Sequence, residues 1–180
     1  EDAIRASISM IKELEIYNKN LVKAGIAEIK IGIGLHTGNL MLGTVGEEER
    51  MEGTVISDAV NLASRLEGLN KVYGSSIIVS RDTLNKLEDK DKYQHRFLGL
   101  TSVKGKANII SIFEVFEAEK PDILALKAKT KEDFEEGIRL YQDKKYFEAF
   151  EKFKKVLKTN KDDKACNFYI QECTEMIRNS

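Results

Sequence analysis

The sequence predicts a mixed α+β protein in which helices cover a sheet, followed by an all-helical segment. Short β-branched runs alternate with helical periodicity over the first 117 residues, and no strand-like run follows them. The single proline, Pro121, stands where charged residues become denser. These observations predict a domain over residues 1–117, a linker over 118–130 and a helical segment over 131–180.

The spacing of apolar residues predicts each element in order. The first domain is expected to contain helices and strands in the order α-β-β-α-β-α-β-β, at 2–20, 28–35, 40–45, 57–70, 76–79, 81–87, 97–100 and 109–116. Thr37-Gly-Asn39 is expected to close a hairpin between the first two strands. A polar loop is expected at 46–50 and a turn at 104–106. Three further helices are predicted at 131–140, 146–158 and 163–177.

Composition excludes several classes of protein. The 180 residues are 42% hydrophobic, carry a formal net charge of −1 and include two cysteines. The balanced charge argues against a nucleic-acid partner, and two cysteines cannot form a disulfide framework. Because no apolar run is long enough to span a bilayer, we expect a cytoplasmic chain. Glu1 stands where a translation start would have Met, so we also expect a longer parent protein, which a membrane anchor could hold.

The glycines of residues 32–38 fit neither common nucleotide-binding fingerprint. The third glycine comes one residue too late for a dinucleotide-binding turn, and no Gly-Lys-Ser/Thr occurs. We therefore expect these glycines to serve a hairpin and close backbone approach. His36 has no acidic or histidine partner nearby in the sequence, and His95 lies in a charged stretch, so we interpret both as structural.

The helix at 57–70 is the most informative segment. Ala59, Leu62 and Leu66 share one apolar face, while Asn61 and Arg65 lie four residues apart on an adjacent polar stripe. An amide and a guanidinium on one helix can orient a hydroxyl and neutralise a phosphoryl oxygen. The pattern alone also fits a solvated helix face.

Two longer motifs carry a family resemblance. They are IGIGLHTGNLMLGTVG at 31–46 and RMEGTVISDAVNLASRLE at 50–67, and they continue through Tyr73-Gly74 and Val103-Lys-Gly-Lys106 to Phe113-Glu-Val115. This stretch closely resembles the class III adenylyl/guanylyl cyclase catalytic domain over about residues 1–117. The resemblance implies a ferredoxin-like sandwich, active sites at a homodimer interface, and conversion of a nucleoside triphosphate to a 3′,5′-cyclic nucleotide and pyrophosphate.

The resemblance also implies roles for four residues. Asn61 would orient the ribose and Arg65 would stabilise the pentavalent phosphorus. Lys104 would contact the triphosphate, and Thr54 occupies the position that reads the purine base. Threonine there favours ATP, with GTP as the alternative substrate.

The family's two metal-binding aspartates and a base-reading lysine are expected upstream of Glu1. Asp2, Asp58 and Asp82 do not stand at the ligand positions, so we expect this chain to bind no metal. The intact parent would hold two Mg²⁺ or Mn²⁺ ions. The chain alone is then expected to be inactive and to expose a sheet edge. The alternative from another class is a non-catalytic, cyclase-like regulatory or protein-interaction module.

The helical segment resembles one tetratricopeptide repeat, on the spacing of Phe134, Gly137, Ala149 and Phe153. Because one repeat cannot bury its own faces, we expect it to pack on the cyclase domain, on a dimer mate or on a protein partner. Cys166 and Cys173 are seven residues apart on one helix face, which suits a packed face better than a zinc site.

Overall fold

A four-stranded sheet with helices on both faces lies at the centre of the chain. The computed structural model describes residues 1–45, 52–56, 58–102 and 109–179; of 41–45 and 52–56 it describes the backbone. In chain order the elements are α1 (Asp2–Lys23), β1 (Ile33–Leu35), β2 (Met41–Val45), β3 (Glu52–Ile56), α2 (Asp58–Tyr73), β4 (Ile77–Ser80), α3 (Arg81–Asn85), a 3-10 turn (Lys90–Lys92), β5 (His95–Ser102), β6 (Ile109–Val115), α4 (Pro121–Gln142), α5 (Tyr146–Thr159) and α6 (Lys164–Arg178).

The sheet has the order β1-β4-β6-β5. β1 runs parallel to β4, whereas β4 and β5 both run antiparallel to β6. β2 and β3 form a separate antiparallel pair in which Gly43 lies opposite Thr54. The predicted α+β class is confirmed.

The hairpin predicted between the first two strands is wrong. β1 pairs with β4, 44 residues further along the chain, and β2 pairs with β3 instead, a strand that the periodicity did not predict. Parallel pairing across a helix leaves no local signal in the sequence, because the two strands meet only after α2 has crossed the sheet. The predicted loop at 46–50 and turn at 104–106 lie outside the described residues.

Two other predicted boundaries differ from the structure. The strand expected over 28–35 is limited to 33–35, and upstream of it the Asn18 amide forms hydrogen bonds with both backbone groups of Ile29 at 2.8 and 2.9 Å. The expected linker at 118–130 is helical from Pro121, which stands at the start of α4. Proline is favoured at that position because it needs no backbone donor there.

Alternate residues of the strands are buried in two hydrophobic cores, one on each face of the sheet. On one face, Ile77, Val79 and Phe113 pack with Ile4 and Leu84 of α1 and α3. On the opposite face, Ile78, Leu98 and Ile112 belong to a single cluster with residues of α2, α4, α5 and α6. The helical segment therefore packs on the cyclase-like part of its own chain, which is one of the three locations expected from the sequence. Its likeness to a tetratricopeptide repeat stays a prediction.

A buried ionic network joins the helical segment to the sheet. Arg96 of β5 donates through Nε to Glu114 of β6 at 2.7 Å and through both terminal nitrogens to Asp163 at 2.6 and 3.1 Å. Lys127 of α4 donates to the other Glu114 oxygen at 2.5 Å. The Arg96, Glu114 and Asp163 side chains are each 1% exposed.

No described helix is long and apolar enough to cross a membrane.

Candidate functional site

Helix α2 lies directly on strand β1, and two glycines make this approach possible. A Cβ at Gly34 would stand 2.2 Å from the Ala63 carbonyl oxygen and 2.3 Å from the Glu67 nitrogen. One at Gly32 would stand 2.9 Å from Cβ of Asn70. Any side chain at Gly34 would therefore force the helix away from the strand, which bears out the close approach predicted for this segment.

Asn70, buried near the end of α2, holds the helix in this position. Its amide nitrogen donates to the Ile33 carbonyl at 3.1 Å, and its oxygen accepts a hydrogen bond from Ser75 at 3.0 Å. This residue fixes both the axial position and the rotation of α2 against β1. The helix predicted at 57–70 ends at Asn70, but the sequence gives no indication of the strand that this residue contacts.

Asn61 and Arg65 lie exposed on this helix, as the sequence predicts. Their neighbours Leu62 and Leu66 are buried in the core cluster, so the polar stripe faces away from the core. Neither the Asn61 nor the Arg65 side chain forms a hydrogen bond or ion pair with another residue of the described ranges. An amide and a guanidinium are thus presented together from a fixed helix, with their donors available to a ligand.

The other two predicted site residues are described less fully. Thr54 lies on β3, and its backbone pairs with Gly43 of the β2–β3 ribbon. Lys104 lies outside the described residues. The structure thus brings Asn61 and Arg65 together on one helix. That Thr54 and Lys104 share one substrate site with them stays a prediction.

No group of three His, Cys, Asp or Glu side chains in the described parts of the chain could hold a metal ion. Asp58 is the first residue of α2, where a carboxylate favours the positive end of the helix dipole, and Asp82 lies in the first turn of α3.

His36 occupies a structural position. Its Nδ1 is 2.8 Å from Oγ of Ser80, the residue that caps α3 by accepting from the Thr83 nitrogen. Burial lowers the pKa of His36, with an opposing contribution from Asp82. His95 likewise bonds the Tyr93 carbonyl at 2.8 Å.

Fold and site together define an α+β domain that presents an amide and a guanidinium from one helix seated on a glycine-containing strand. Residues 1–114 match the family of adenylate and guanylate cyclase catalytic domains, and the chain belongs to this family.

Curated relatives and solved structures agree with the family. Over 178 residues the chain is 34% identical to the terminal-differentiation-specific adenylate cyclase of Dictyostelium discoideum, covering 98% of this chain and 8% of that protein. Over 118 residues it is 40% identical to an adenylate cyclase of Anabaena cylindrica, covering 63% and 24%. The first of these matches includes the helical segment. The chain spans less than a quarter of the length of either relative.

Among solved structures, the adenylyl cyclase CyaB of P. aeruginosa is 32% identical with a TM-score of 0.51, covering 60% of this chain and 54% of that one. The guanylyl cyclase Cya2 is 26% identical with a TM-score of 0.53, covering 66% and 58%. The class III cyclase fold and family expected from the motifs are therefore confirmed. Such domains act on a nucleotide and typically assemble as dimers.

Proposed function

We propose that this chain supplies the transition-state helix of an adenylate cyclase that works as a homodimer. The exposed Asn61–Arg65 pair on the rigidly seated helix α2 is the observation that carries the proposal. Similarity to the adenylate cyclases of D. discoideum and A. cylindrica supports ATP as the substrate of this chain, and similarity to the guanylyl cyclase Cya2 keeps GTP as the second candidate.

The reaction is an internal phosphoryl transfer. The ribose 3′-oxygen attacks the α-phosphorus and loses its proton, a new O–P bond forms, and the bond from the α-phosphorus to the bridging oxygen breaks to release pyrophosphate. Negative charge accumulates on the equatorial phosphoryl oxygens as five-coordinate phosphorus forms. Donors that are already in position lower this barrier because they need no reorganisation during the reaction.

Each proposed residue has a role that matches its donors. The Asn61 amide hydrogen-bonds the ribose and aligns the attacking oxygen. The Arg65 guanidinium donates to the phosphoryl oxygens as charge develops on them. Thr54 reads the purine edge and Lys104 contacts the triphosphate. Class III cyclase domains generally use Mg²⁺ or Mn²⁺, and the roles of these four side chains involve neither ion.

The test is a cyclase assay with ATP and with GTP on the longer protein that contains this chain, comparing wild type with Arg65→Ala. We expect turnover to fall by about 10²–10³-fold, the usual loss when one such donor is removed. Folding should be unchanged, because Arg65 is exposed. Lys71→Ala is the matched control, since Lys71 is an exposed basic residue on the same helix. Wild-type turnover in Arg65→Ala would refute the role, and wild-type protein that forms no cyclic nucleotide would refute the proposed function.

A further inference from the structure

The buried face of α2 is covered partly by the helical segment. Leu62 and Leu66 follow Asn61 and Arg65 directly in the sequence, and both belong to a cluster that includes Ala165, Tyr169 and Cys173 of α6. α2 and α6 are in direct contact. The surface that seats the exposed Asn61–Arg65 pair is therefore formed by β1 on one side and by α6 on another.

Tyr169 of α6 contacts both α2 and the sheet. Its ring stacks on that of Tyr73, the last residue of α2, with centroids 6.3 Å apart and planes 21° apart. Its hydroxyl donates to the Leu98 carbonyl of β5 at 2.6 Å. Burial raises the pKa of Tyr169, so the hydroxyl keeps its proton and remains a donor.

Strand β5 is shaped to accept this contact. The pairing of β5 with β6 shifts between Phe97 and Gly99, and Gly99 has a φ of +119°. A Cβ at Gly99 would stand 2.3 Å from the Tyr169 hydroxyl oxygen. The irregularity and the glycine together make room for the tyrosine, as expected of a bulge that redirects a strand's backbone groups.

A second attachment fixes the start of α6. Asp163 caps this helix by accepting from the Cys166 nitrogen at 3.1 Å, and the same carboxylate receives two hydrogen bonds from Arg96 of β5. Together with the hydroxyl of Tyr169, six residues later, this attachment ties α6 to β5 at two points. It therefore provides α2 with a rigid neighbour.

We propose that Tyr169 is a positioning residue for the cyclase reaction: by joining Tyr73 of α2 to Leu98 of β5, it fixes α2, and with it Asn61 and Arg65, relative to the sheet. The inference rests on the proposed function. It assigns the helical segment a part in catalysis, although none of its residues contacts substrate. Misplacement of a catalytic group by about 1 Å can lower a rate up to about a hundredfold, so release of this contact should affect kcat.

The test uses Tyr169→Phe in the longer cyclase, which removes the hydroxyl and keeps the ring. We expect kcat per folded molecule to fall about tenfold with KM within about twofold, because Asn61 and Arg65 act chiefly in the transition state. Tyr141→Phe is the matched control: it removes a hydroxyl that donates to Glu172 of α6 at 3.2 Å and keeps the ring that packs edge-on against Tyr169. Val156→Ala controls for lost stability, since Val156 is buried in the same cluster but on α5. Both controls should keep wild-type kcat per folded molecule.

A double-mutant comparison separates positioning from a structural role. In an Arg65→Lys background, Tyr169→Phe should reduce kcat by a smaller factor than in wild type, because both changes disturb the same interaction. Equal factors in the two backgrounds, or a kcat for Tyr169→Phe within about twofold of the controls, would overturn the inference. Failure of the proposed function is a different result, since wild type itself would then form no cyclic nucleotide.

Discussion

The Arg96 network gives the sharpest prediction about stability. Arg96→Met replaces the buried guanidinium with a shorter, uncharged apolar side chain. The change removes three hydrogen bonds to carboxylates and the contact with Phe134, whose ring centre lies 4.2 Å from the guanidinium carbon. Glu114 retains Lys127, but Asp163 loses its only cationic hydrogen-bond donor among the described residues.

The magnitude follows from the charge that is left behind. Breaking a buried ion pair by removing one partner costs about 3–5 kcal/mol, because the remaining charge is neither hydrated nor paired. Asp163 would retain only neutral donors, Asn160 at 3.1 Å and the Cys166 nitrogen at 3.1 Å. For a chain of this length, each kcal/mol shifts Tm by about 2–4 °C, so we expect a drop of about 6–20 °C.

The pH dependence supplies an independent check. In the wild type, burial raises the pKa of Asp163, but Arg96 outweighs that effect and holds the pKa below its ordinary 3.8. This stabilisation is therefore complete above pH 3.8 and is lost as pH falls through the lower folded-state pKa. Without Arg96, burial is opposed by the weaker effects of the Cys166 backbone N–H and Lys127, so the Asp163 pKa should rise and protonation in acid should recover part of the lost stability. The difference in stability between wild type and Arg96→Met should therefore be smaller at about pH 4 than at about pH 7.

Urea denaturation followed by circular dichroism at both pH values measures this effect. Arg139→Met on α4 is the control, since Arg139 is exposed and its pairing with Glu136 at 3.6 Å should contribute less than about 1 kcal/mol. Arg96→Lys should rescue little, because lysine cannot donate to two carboxylates in the planar geometry of arginine. A loss below about 1 kcal/mol in Arg96→Met, or a difference that widens in acid, would refute the argument.

Two further predictions concern packing. Gly34→Ala should destabilise the chain by about 1–3 kcal/mol or more, because its Cβ would stand 2.2 Å from the Ala63 carbonyl oxygen. Gly68→Ala, whose Cβ would have nothing within 4 Å, should instead stabilise α2 by about 0.5–1 kcal/mol. Thermal melts compare the two variants, and equal Tm values would contradict the close approach of α2 to β1. Cys166 and Cys173 are both buried, and burial raises the pKa of Cys166 and that of Cys173 to about 11. Both thiols should therefore resist a thiol reagent in the native chain and react with it in urea. Mass spectrometry measures the labelling, and rapid labelling of the native chain would count against their burial.

The sequence was most informative where periodicity and spacing are local. The four-residue spacing of Asn61 and Arg65 predicted a shared helix face, and the seven-residue spacing of Cys166 and Cys173 predicted a packed one; the structure has both. The pairing of β1 with β4 could not be predicted this way, because paired strands can be far apart in the sequence. The β1–β2 hairpin was therefore a wrong inference from a plausible turn.

Tyr169 shows the same limit for function. Its position in an amphipathic helix indicates burial, but nothing near it in the sequence indicates Tyr73 or Leu98, which are 96 and 71 positions away. Gly99 was the only available signal, as a glycine inside a predicted strand suggests a bulge or close approach. A glycine there indicates that another group approaches the strand closely, but it does not indicate that this group is Tyr169.

The density of charge after residue 118 led to the prediction of a domain boundary and a separate helical segment, and the structure shows why charge counting is a poor guide here. Lys127 and Asp163 belong to that dense segment, yet both are buried against Arg96 and Glu114 of the sheet. A buried charge is tolerated only with its partner in place, so these four residues depend on one another across the predicted boundary. The apolar cluster crosses it as well, from Leu98 and Ile112 to Phe134. Residues 1–117 on their own would have to leave both the charges and the apolar face uncovered, and so the helical segment is part of the same folded unit as the helix that presents Asn61 and Arg65.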